Sequence, residues 1–339
     1  MKKMIINIGF GILALIVLAV ITGMTYEKLG RRNAMQEFPP PGKLVDIGGR
    51  RIQLDCRGSG SPTVIFESGL DISGSLSWSA VHDEIAKTTR ACAYSRAGIM
   101  WSDPHDAPQN GKSIAEDLHA ALKNSGEQGP FVLVGHSLGG PYIMTYTKYF
   151  GADVAGLVFV DASHPDQVQR FKVLGISEQK LMMLAYKIGA ALNSTGVVRA
   201  VAATHEKMPH WTVLNDQAMK AYASTSLGPM LKEEDAFEQT LSEAGTFRHL
   251  GRRPIFVLTA MAPIPEQELS QLKITAEKAK QMTEIWKELQ DDQAKWSSQS
   301  QHQLVDDASH YIQFDRPDIV IDAVRSVISK VRENGGYGH

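Results

Sequence analysis

The chain has 339 residues and a formal charge of −2, with 43% hydrophobic and 21% charged residues, which is the composition of a folded globular protein. Its 35 basic residues are balanced by 37 acidic ones, and this balance argues against a nucleic-acid partner. The sequence has no glycine-rich nucleotide loop, and its two cysteines cannot form a zinc ribbon or a thioredoxin-like pair. We therefore expect neither a cofactor nor a structural metal.

The first segment in chain order is apolar. Residues 4–24 carry no charge, and about 20 such residues in a helix cross a hydrocarbon core of ~30 Å. The preferred interpretation is a transmembrane anchor and linker over residues 1–36 that adds no element to the soluble fold. A cleaved signal peptide and a buried core helix are the alternatives, and basic residues on both sides leave the orientation undecided. The Phe-Pro-Pro-Pro run at 38–41 predicts a short extended spacer.

Short apolar runs then alternate with helical patterns. A hairpin is predicted from two strands, 43–47 and 51–56, around a Gly-Gly turn. Five further apolar runs predict buried strands, at 63–66, 91–94, 131–134, 156–160 and 254–259. This alternation is typical of the α/β class, with a mostly parallel sheet and helices on both faces. The sheet is expected to be built from residues 37–163 and 251–335.

Helices are predicted where caps and apolar faces coincide. A capping box from Ser113 to Glu116 predicts a helix that ends near Asn124. The last helix is predicted to begin at Pro317 and to bury one face, formed by Val320, Val324, Val327 and Val331.

The strand rhythm stops between residues 164 and 250, a segment rich in Met, Ala and Leu. This predicts a helical cap inserted after the sixth strand. Its apolar side chains, such as those at 181–185, either pack the helices together or line a substrate pocket. The Gln-rich residues 266–303 are interpreted as a solvated helix.

The main chemical signal is the sequence Gly135-His-Ser-Leu-Gly139, which lies between an apolar strand and a helix. A G-x-S-x-G at such a junction predicts a sharp turn that exposes Ser137 at the carboxyl edge of the sheet. A histidine must remove its proton before the hydroxyl can act as a nucleophile. The backbone N–H of Leu138 is suited to stabilising an oxyanion, whereas His136 is interpreted as filling space in the turn.

With this motif in place, the chain from about residue 41 to 331 resembles the α/β-hydrolase superfamily, and in particular bacterial hydrolases of broad specificity. The other matching stretches are Phe66-Glu-Ser-Gly-Leu70, Tyr94-Ser-Arg-Ala-Gly98, Val158-Phe-Val-Asp-Ala162 and Ser309-His-Tyr-Ile-Gln313. The chain departs from its relatives at Ser95 and Met100. Its 66–70 loop also lacks the His-Gly of some relatives and the H-G-G-P-G of proline iminopeptidases.

The resemblance implies the remaining site residues. His310, before the last helix, is expected to be the base, and Leu70 supplies the second oxyanion N–H beside that of Leu138. The loop after the seventh strand has no carboxylate before Glu266. The acid is therefore expected at Asp161, which ends the sixth strand on the same edge as Ser137. The alternatives are Glu266, Glu268, Asp166 and Asp306, with Asp161 then serving only to cap a turn.

The nucleophile also indicates the reaction. Haloalkane dehalogenases and epoxide hydrolases resemble the chain but place an aspartate at this turn, whereas Ser137 implies an acyl-enzyme. We expect a cofactor-independent serine hydrolase acting on a small-molecule or lipid-like ester, with no obligate protein partner. An amidase or peptidase of the same fold is one alternative, and a catalytically silent, membrane-tethered binding module is another.

Two side-chain pairs follow from strands that are neighbours in the related fold. Cys56 and Cys92 are expected to lie close enough for a disulfide, with two free buried thiols as the alternative. A disulfide requires an oxidising compartment, so the catalytic domain is expected to be periplasmic or extracellular, either anchored or secreted after signal cleavage. Arg96 is expected to pair with Glu67 or to contact substrate.

Overall fold

A central sheet organises the molecule, a computed structural model that describes residues 2–172, 174, 180–208, 210–272 and 274–335. The sheet has eight strands in the order β1-β2-β4-β3-β5-β6-β7-β8. In chain order the strands are β1 (Lys43–Asp46), β2 (Arg51–Arg57), β3 (Thr63–Glu67), β4 (Ala91–Ser95), β5 (Phe131–His136), β6 (Val154–Val160), β7 (Gly251–Ala260) and β8 (Ser297–Val305).

Strand direction places the carboxyl ends of six strands on one edge. β1 pairs antiparallel with β2, and β2 pairs antiparallel with β4, whereas β3 to β8 pair parallel with one another. Every residue of β3, β4, β5 and β6 is buried, as is usual for parallel strands covered on both faces. The predicted α/β class and the mostly parallel sheet are confirmed.

Helices cover both faces of this sheet and form a separate layer above it. Their bounds are α1 (Lys2–Glu37), α2 (His82–Ala86), α3 (Gly111–Ser125), α4 (Gly139–Phe150), α5 (Gln167–Lys172), α6 (Lys180–Ala191), α7 (Val197–Thr204), α8 (Val213–Asp235), α9 (Phe237–Gly245), α10 (Glu266–Leu272), α11 (Ala276–Gln293), α12 (Ile312–Asp315) and α13 (Pro317–Glu333).

The two faces carry separate apolar cores. Helices α3 and α4 pack on one face and α2 and α13 on the other. Pro317 begins α13 at its first turn, and the four valines predicted to share one face of that helix are all buried. Basic residues in its last turn, Lys330 and Arg332, complement the helix dipole.

Two local predictions are wrong. Helix α3 begins at Gly111, and the side chain of Asn110, instead of Ser113, caps it by accepting a hydrogen bond from the Ser113 N–H at 3.0 Å. The Gln-rich segment is also not a single solvated helix, because it forms α10, α11 and the edge strand β8. The side chains of Gln290 and Gln293 in α11 are fully buried.

The insertion between β6 and β7 is helical, as predicted, and holds α5 to α9; residues 173, 175–179 and 209 of the predicted cap lie outside the described residues. Helix α1 does not end in a linker, since it runs unbroken to Glu37. Its last turns contact α8, where Ala34 is buried in a cluster with Tyr222 and Leu227. By length and composition, α1 is the one described helix able to cross a membrane.

Candidate active site

Ser137 occupies the turn between β5 and α4. Its φ of 52° is left-handed, a conformation that costs a non-glycine residue energy and is typical of functional turns. The turn is fixed by two hydrogen bonds, from the Ser137 N–H to the Val160 carbonyl at 3.2 Å and from the Ser163 N–H to the Ser137 carbonyl at 2.8 Å. A Cβ at Gly139 would lie 2.4 Å from the Glu67 carbonyl oxygen, so only glycine fits there.

Asp161 and His310 meet at the same edge of the sheet. His310 Nδ1 lies 2.6 Å from Asp161 Oδ2. The other oxygen, Oδ1, accepts hydrogen bonds from the Trp286 indole at 2.8 Å and from the Ala260 N–H at 2.9 Å. Asp161 is buried, and both of its carboxylate oxygens have hydrogen-bond partners. If the Asp161–His310 bond is donated by Nδ1–H, Nε2 is left free to accept a proton.

Trp286 is the site residue that the sequence analysis missed. It lies on α11, inside the stretch interpreted as a solvated helix. The available signal was its type, because Trp286 is the only aromatic residue of that helix. A tryptophan N–H usually finds a partner when the ring is covered.

The alternative acids whose side chains the structure describes do not contact His310. Asp166 forms a bidentate ion pair with Arg248, at 2.6 and 2.8 Å. Glu266 and Asp306 are exposed, and the side chain of Glu268 lies outside the described residues.

The ring of His136 links the nucleophile turn to the loop of His310. Its Nε2 lies 2.9 Å from the His310 carbonyl oxygen, and a carbonyl only accepts, so Nε2 carries the proton. Burial holds the pKa of His136 well below its usual range, which keeps the ring neutral. In the described part of the chain, His136 Nδ1 has no partner, and His310 makes no hydrogen bond to the Ser137 hydroxyl. Such bonds are commonly long before substrate binds.

The loop after β3 lies directly above Ser137. A Cβ at Gly69 would approach the Ser137 Cβ to 2.9 Å, so the backbone can come this close only because residue 69 is glycine. Arg96 donates to the Gly69 carbonyl at 2.6 Å and to the Ser68 carbonyl at 2.8 Å. Because a trans peptide is planar, the Leu70 N–H points away from Arg96. Neither the Leu70 nor the Leu138 N–H has an acceptor among the described residues.

Arg96 also joins this loop to the cap. The buried guanidinium bonds Glu67 at 2.8 Å and the cap residue Glu233 of α8 at 2.7 and 2.8 Å, and Tyr94 donates to Glu67. Burial raises the pKa of Glu67 to about 7, although Arg96 and Tyr94 oppose the rise. Burial also raises the pKa of Glu233. The predicted Arg96–Glu67 pair is therefore present and extends to a second carboxylate that the sequence did not indicate.

Cap side chains border the site. Leu70 packs in one cluster with Met183 of α6 and Val198 of α7. In a second cluster, Leu70 and Leu138 meet Phe237 of α9. Apolar residues of the cap thus both pack its helices and lie next to the nucleophile loop.

Cys56 and Cys92 face each other across the β2–β4 pair and are joined in a disulfide. Together with Glu127 they are close enough to share a metal ion. Their sulfurs are bonded to each other, however, and Glu127 holds Arg90 through two hydrogen bonds of 2.6 Å. The group therefore fits a disulfide beside an ion pair better than a metal site.

The strand order, the left-handed serine turn and the cap are features of a hydrolase of the α/β type. Residues 48–323 match the alpha/beta hydrolase family, and the chain belongs to that family.

Similar proteins agree with this fold. Protein YbdG of Bacillus subtilis is 22% identical over 169 residues, 50% of this chain and 52% of YbdG. An esterase from Thermogutta terrifontis is 17% identical with a TM-score of 0.57, over 86% of this chain and 98% of the esterase. An epoxide hydrolase from Bacillus megaterium is 15% identical with a TM-score of 0.58, over 85% of this chain and 100% of its own. The chain spans about half or less of the length of the curated relatives that it matches.

Proposed function

We propose that the chain is a serine hydrolase that cleaves carboxylic esters through an acyl-enzyme. The observation that carries the proposal is the hydrogen bond of 2.6 Å between His310 Nδ1 and Asp161 Oδ2, at the sheet edge where Ser137 occupies a left-handed turn. A serine, a buried carboxylate and a histidine, in this order along the chain, have the roles of nucleophile, acid and base in serine hydrolases of this fold.

The proposed reaction begins when the Ser137 hydroxyl attacks the ester carbonyl and His310 Nε2 takes its proton. Asp161 holds the ring and stabilises the imidazolium. The N–H groups of Leu70 and Leu138 donate to the oxyanion. His310 then returns the proton to the departing alcohol, which leaves an acyl group on Ser137. Water, deprotonated by His310, releases the acid and restores the serine.

A serine at this position favours ester cleavage over epoxide opening, although the fold is shared with an epoxide hydrolase. Alkyl-enzyme chemistry in related proteins starts from a carboxylate nucleophile, whereas a serine alkoxide forms an ester with an acyl group.

Fluorophosphonate labelling tests the nucleophile. We expect the probe to label the wild-type chain and Ser113→Ala, a control serine on α3, but not Ser137→Ala. We also expect Ser137→Ala to lose ester turnover while its melting temperature stays near that of wild type. Labelling or turnover that persists in Ser137→Ala would exclude Ser137 as the nucleophile. A folded wild-type chain that neither reacts with the probe nor turns over substrate would favour a binding module.

Paired substrates test the bond that is cleaved. An ester and an anilide with the same acyl group differ only in the leaving group. We expect the ester to be the better substrate, and a higher kcat/KM for the anilide would favour an amidase or peptidase.

We further propose that α1 anchors the enzyme in a membrane, with the catalytic domain on the periplasmic or extracellular side. The apolar window of α1 has a mean hydropathy of 2.7 and none of it is buried, and the disulfide fits an oxidising compartment. Sequencing the amino terminus of the native protein separates this proposal from secretion after cleavage. We expect the protein in the membrane fraction with α1 retained; a soluble form that starts near residue 24 would support secretion.

A further inference from the structure

The cap carries most of the exposed apolar side chains outside α1. Of the twelve large hydrophobic residues that are exposed in the described chain beyond α1, nine lie between residues 184 and 214. Monomeric soluble domains rarely gather such residues into one region, and where they do, the region usually contacts a partner or a membrane.

These residues follow helical spacing. Leu184, Ile188 and Leu192 recur every four residues at 53, 52 and 46% exposure, so they lie on one side of α6 and its end. Val197 and Val201 repeat the spacing on α7 at 40 and 53%. We refer to these five residues as the cap apolar face.

This face is continuous with the proposed anchor. The turn Asn193–Thr195, between α6 and α7, touches α1 so closely that a Cβ at Gly23 would lie 2.1 Å from the Thr195 carbonyl oxygen. An open cleft of about 540 Å³ separates α1 from α7. Leu15 and Leu18 line it on the α1 side, and Val197 and Ala200 line it on the cap side.

Helix geometry fixes the depth of this contact. Leu15 precedes Tyr26, the last uncharged residue before Glu27, by eleven residues, roughly 17 Å along a helix axis. If the uncharged segment lies in the bilayer, cap residues beside Leu15 cannot be far from the hydrocarbon. The exposed cations Lys28 and Arg32 follow on the cap side of the segment, where anionic headgroups would meet them.

A polar contact keeps the cap in this position. Glu27 of α1 is buried and bonds Arg199 of α7 at 2.9 Å and the hydroxyl of Ser224 in α8 at 2.7 Å. The cap therefore cannot turn away from the anchor without breaking a buried ion pair.

We propose that the cap apolar face docks on the bilayer that α1 enters, so that the cap rests in the membrane interface. The inference rests on the proposed anchoring by α1. The occupant of the surface is lipid: headgroups meet the cations, and acyl chains fill the cleft between α1 and α7. The arrangement is that of an interfacial protein, in which apolar side chains enter the headgroup region beside a membrane helix.

Site-specific fluorescence tests the docking in the full chain. Because both native cysteines are in a disulfide, a single added cysteine can be labelled with an environment-sensitive dye. The variants are Leu13→Cys in the anchor, Ile188→Cys and Val201→Cys in the cap apolar face, and Leu304→Cys, an exposed control leucine on β8. Each is reconstituted in phosphatidylcholine–phosphatidylglycerol vesicles with and without brominated acyl chains.

We expect brominated lipid to quench the dye several-fold at positions 13, 188 and 201 and not at 304. Quenching at 13 alone would overturn the docking and leave the anchor in place. Absence of quenching at 13 would overturn the anchor and the docking with it. A third outcome is that the dyes at 188 and 201 become shielded from water as the protein-to-lipid ratio rises, while brominated lipid does not quench them. This result would overturn the docking in favour of a second copy of the chain.

Discussion

At the scale of single residues, the position of His310 depends on two neighbours outside the proposed triad. His136 holds its main chain through the hydrogen bond to the His310 carbonyl, and Trp286 holds the carboxylate that orients its ring. Neither residue is one of the proposed reacting groups. Their contribution is to hold the base in place, which can be measured separately from folding.

His136→Phe keeps an aromatic ring but removes the donor to the His310 carbonyl. A neutral hydrogen bond contributes about 1 kcal/mol, so we expect kcat to fall about five- to tenfold, with little change in KM. His136→Gln places an amide N–H near the position of Nε2 and is expected to restore most of kcat. An equal loss of kcat in His136→Phe and His136→Gln would contradict this positioning role. A kcat that falls with the melting temperature, whether or not the variant keeps an N–H donor, would contradict it as well.

Trp286→Phe removes one of the two donors to Asp161 Oδ1. Hydrogen bonds to charged groups contribute about 1.5–3 kcal/mol, so we expect kcat to fall by at least about tenfold. The matched control is Trp296→Phe, whose indole donates to Asp292 at 3.1 Å, a residue that does not touch His310. The low-field proton resonance of the Asp161–His310 hydrogen bond should shift only in Trp286→Phe. An equal loss in both variants would mean that Trp286 acts through packing alone.

At the scale of elements, Arg96 connects the loop after β3 to helix α8 of the cap. One guanidinium lies between Glu67 and Glu233, and all three groups are almost fully buried. Burial is the main cause of the raised pKa of Glu67, Arg96 and Tyr94 oppose the rise, and the charge of Glu233 adds to it.

The raised pKa of Glu67 predicts a pH-dependent stability. The pKa of Glu67 is about 7 in the folded chain, against an ordinary value of 4.5, so the folded state binds more protons between these two pH values. Stability is then lost as pH rises from 4.5 to 7, by up to about 3 kcal/mol. Glu67→Gln should remove most of this slope from urea unfolding of the chain in detergent, whereas Glu116→Gln, an exposed control, should retain it. A slope that survives in Glu67→Gln would assign the pH dependence to another group.

The elements themselves could be predicted to different degrees. Strands such as β5 consist of continuous apolar residues because both their faces are covered, and a sequence reveals this directly. Strand β8 lies at the edge of the sheet and reads Ser-Ser-Gln-Ser-Gln-His-Gln-Leu-Val. Most of β8 was predicted as part of a helix because its residues 297–303 are all polar and show no apolar alternation.

The residues of the candidate site also differ in how well the sequence predicts them. Ser137 and Asp161 were predicted from the strands that they follow, because the carboxyl ends of parallel strands share one edge of the sheet, and His310 was predicted from the family resemblance. The contacts of Glu233 and Trp286 depend on how the cap and α11 fold back over the sheet. Their partners lie 137 and 125 positions away, and nothing local in the sequence marks the pairing.

At the scale of the whole molecule, α1 has two parts with different environments. Its apolar window is exposed, whereas Glu27 and Ala34 are buried against the cap. The expectation that the first 36 residues lie outside the fold therefore does not hold for their last third.

Two truncations distinguish these parts. Deletion of residues 2–22 removes most of the apolar segment and is expected to leave a folded, active enzyme. Deletion of residues 2–36 also removes the ion pair of Glu27 with Arg199 and the packing of Ala34 on the cap, and is expected to lower the melting temperature. Thermal unfolding of the two proteins measures the difference. Equal melting temperatures and equal turnover in the two proteins would mean that residues 23–36 of α1 do not stabilise the catalytic domain.

The central claim is that acyl transfer passes through Ser137, and trapping the covalent intermediate tests it most directly. A chromogenic ester is mixed with the enzyme, the reaction is stopped with acid, and the protein is analysed by intact mass and peptide mapping. The account predicts one acyl group per chain on the peptide that contains Ser137, formed in a burst with release of alcohol. An acyl group on another residue, an alkyl ester on Asp161, or turnover of the ester in Ser137→Ala would contradict it.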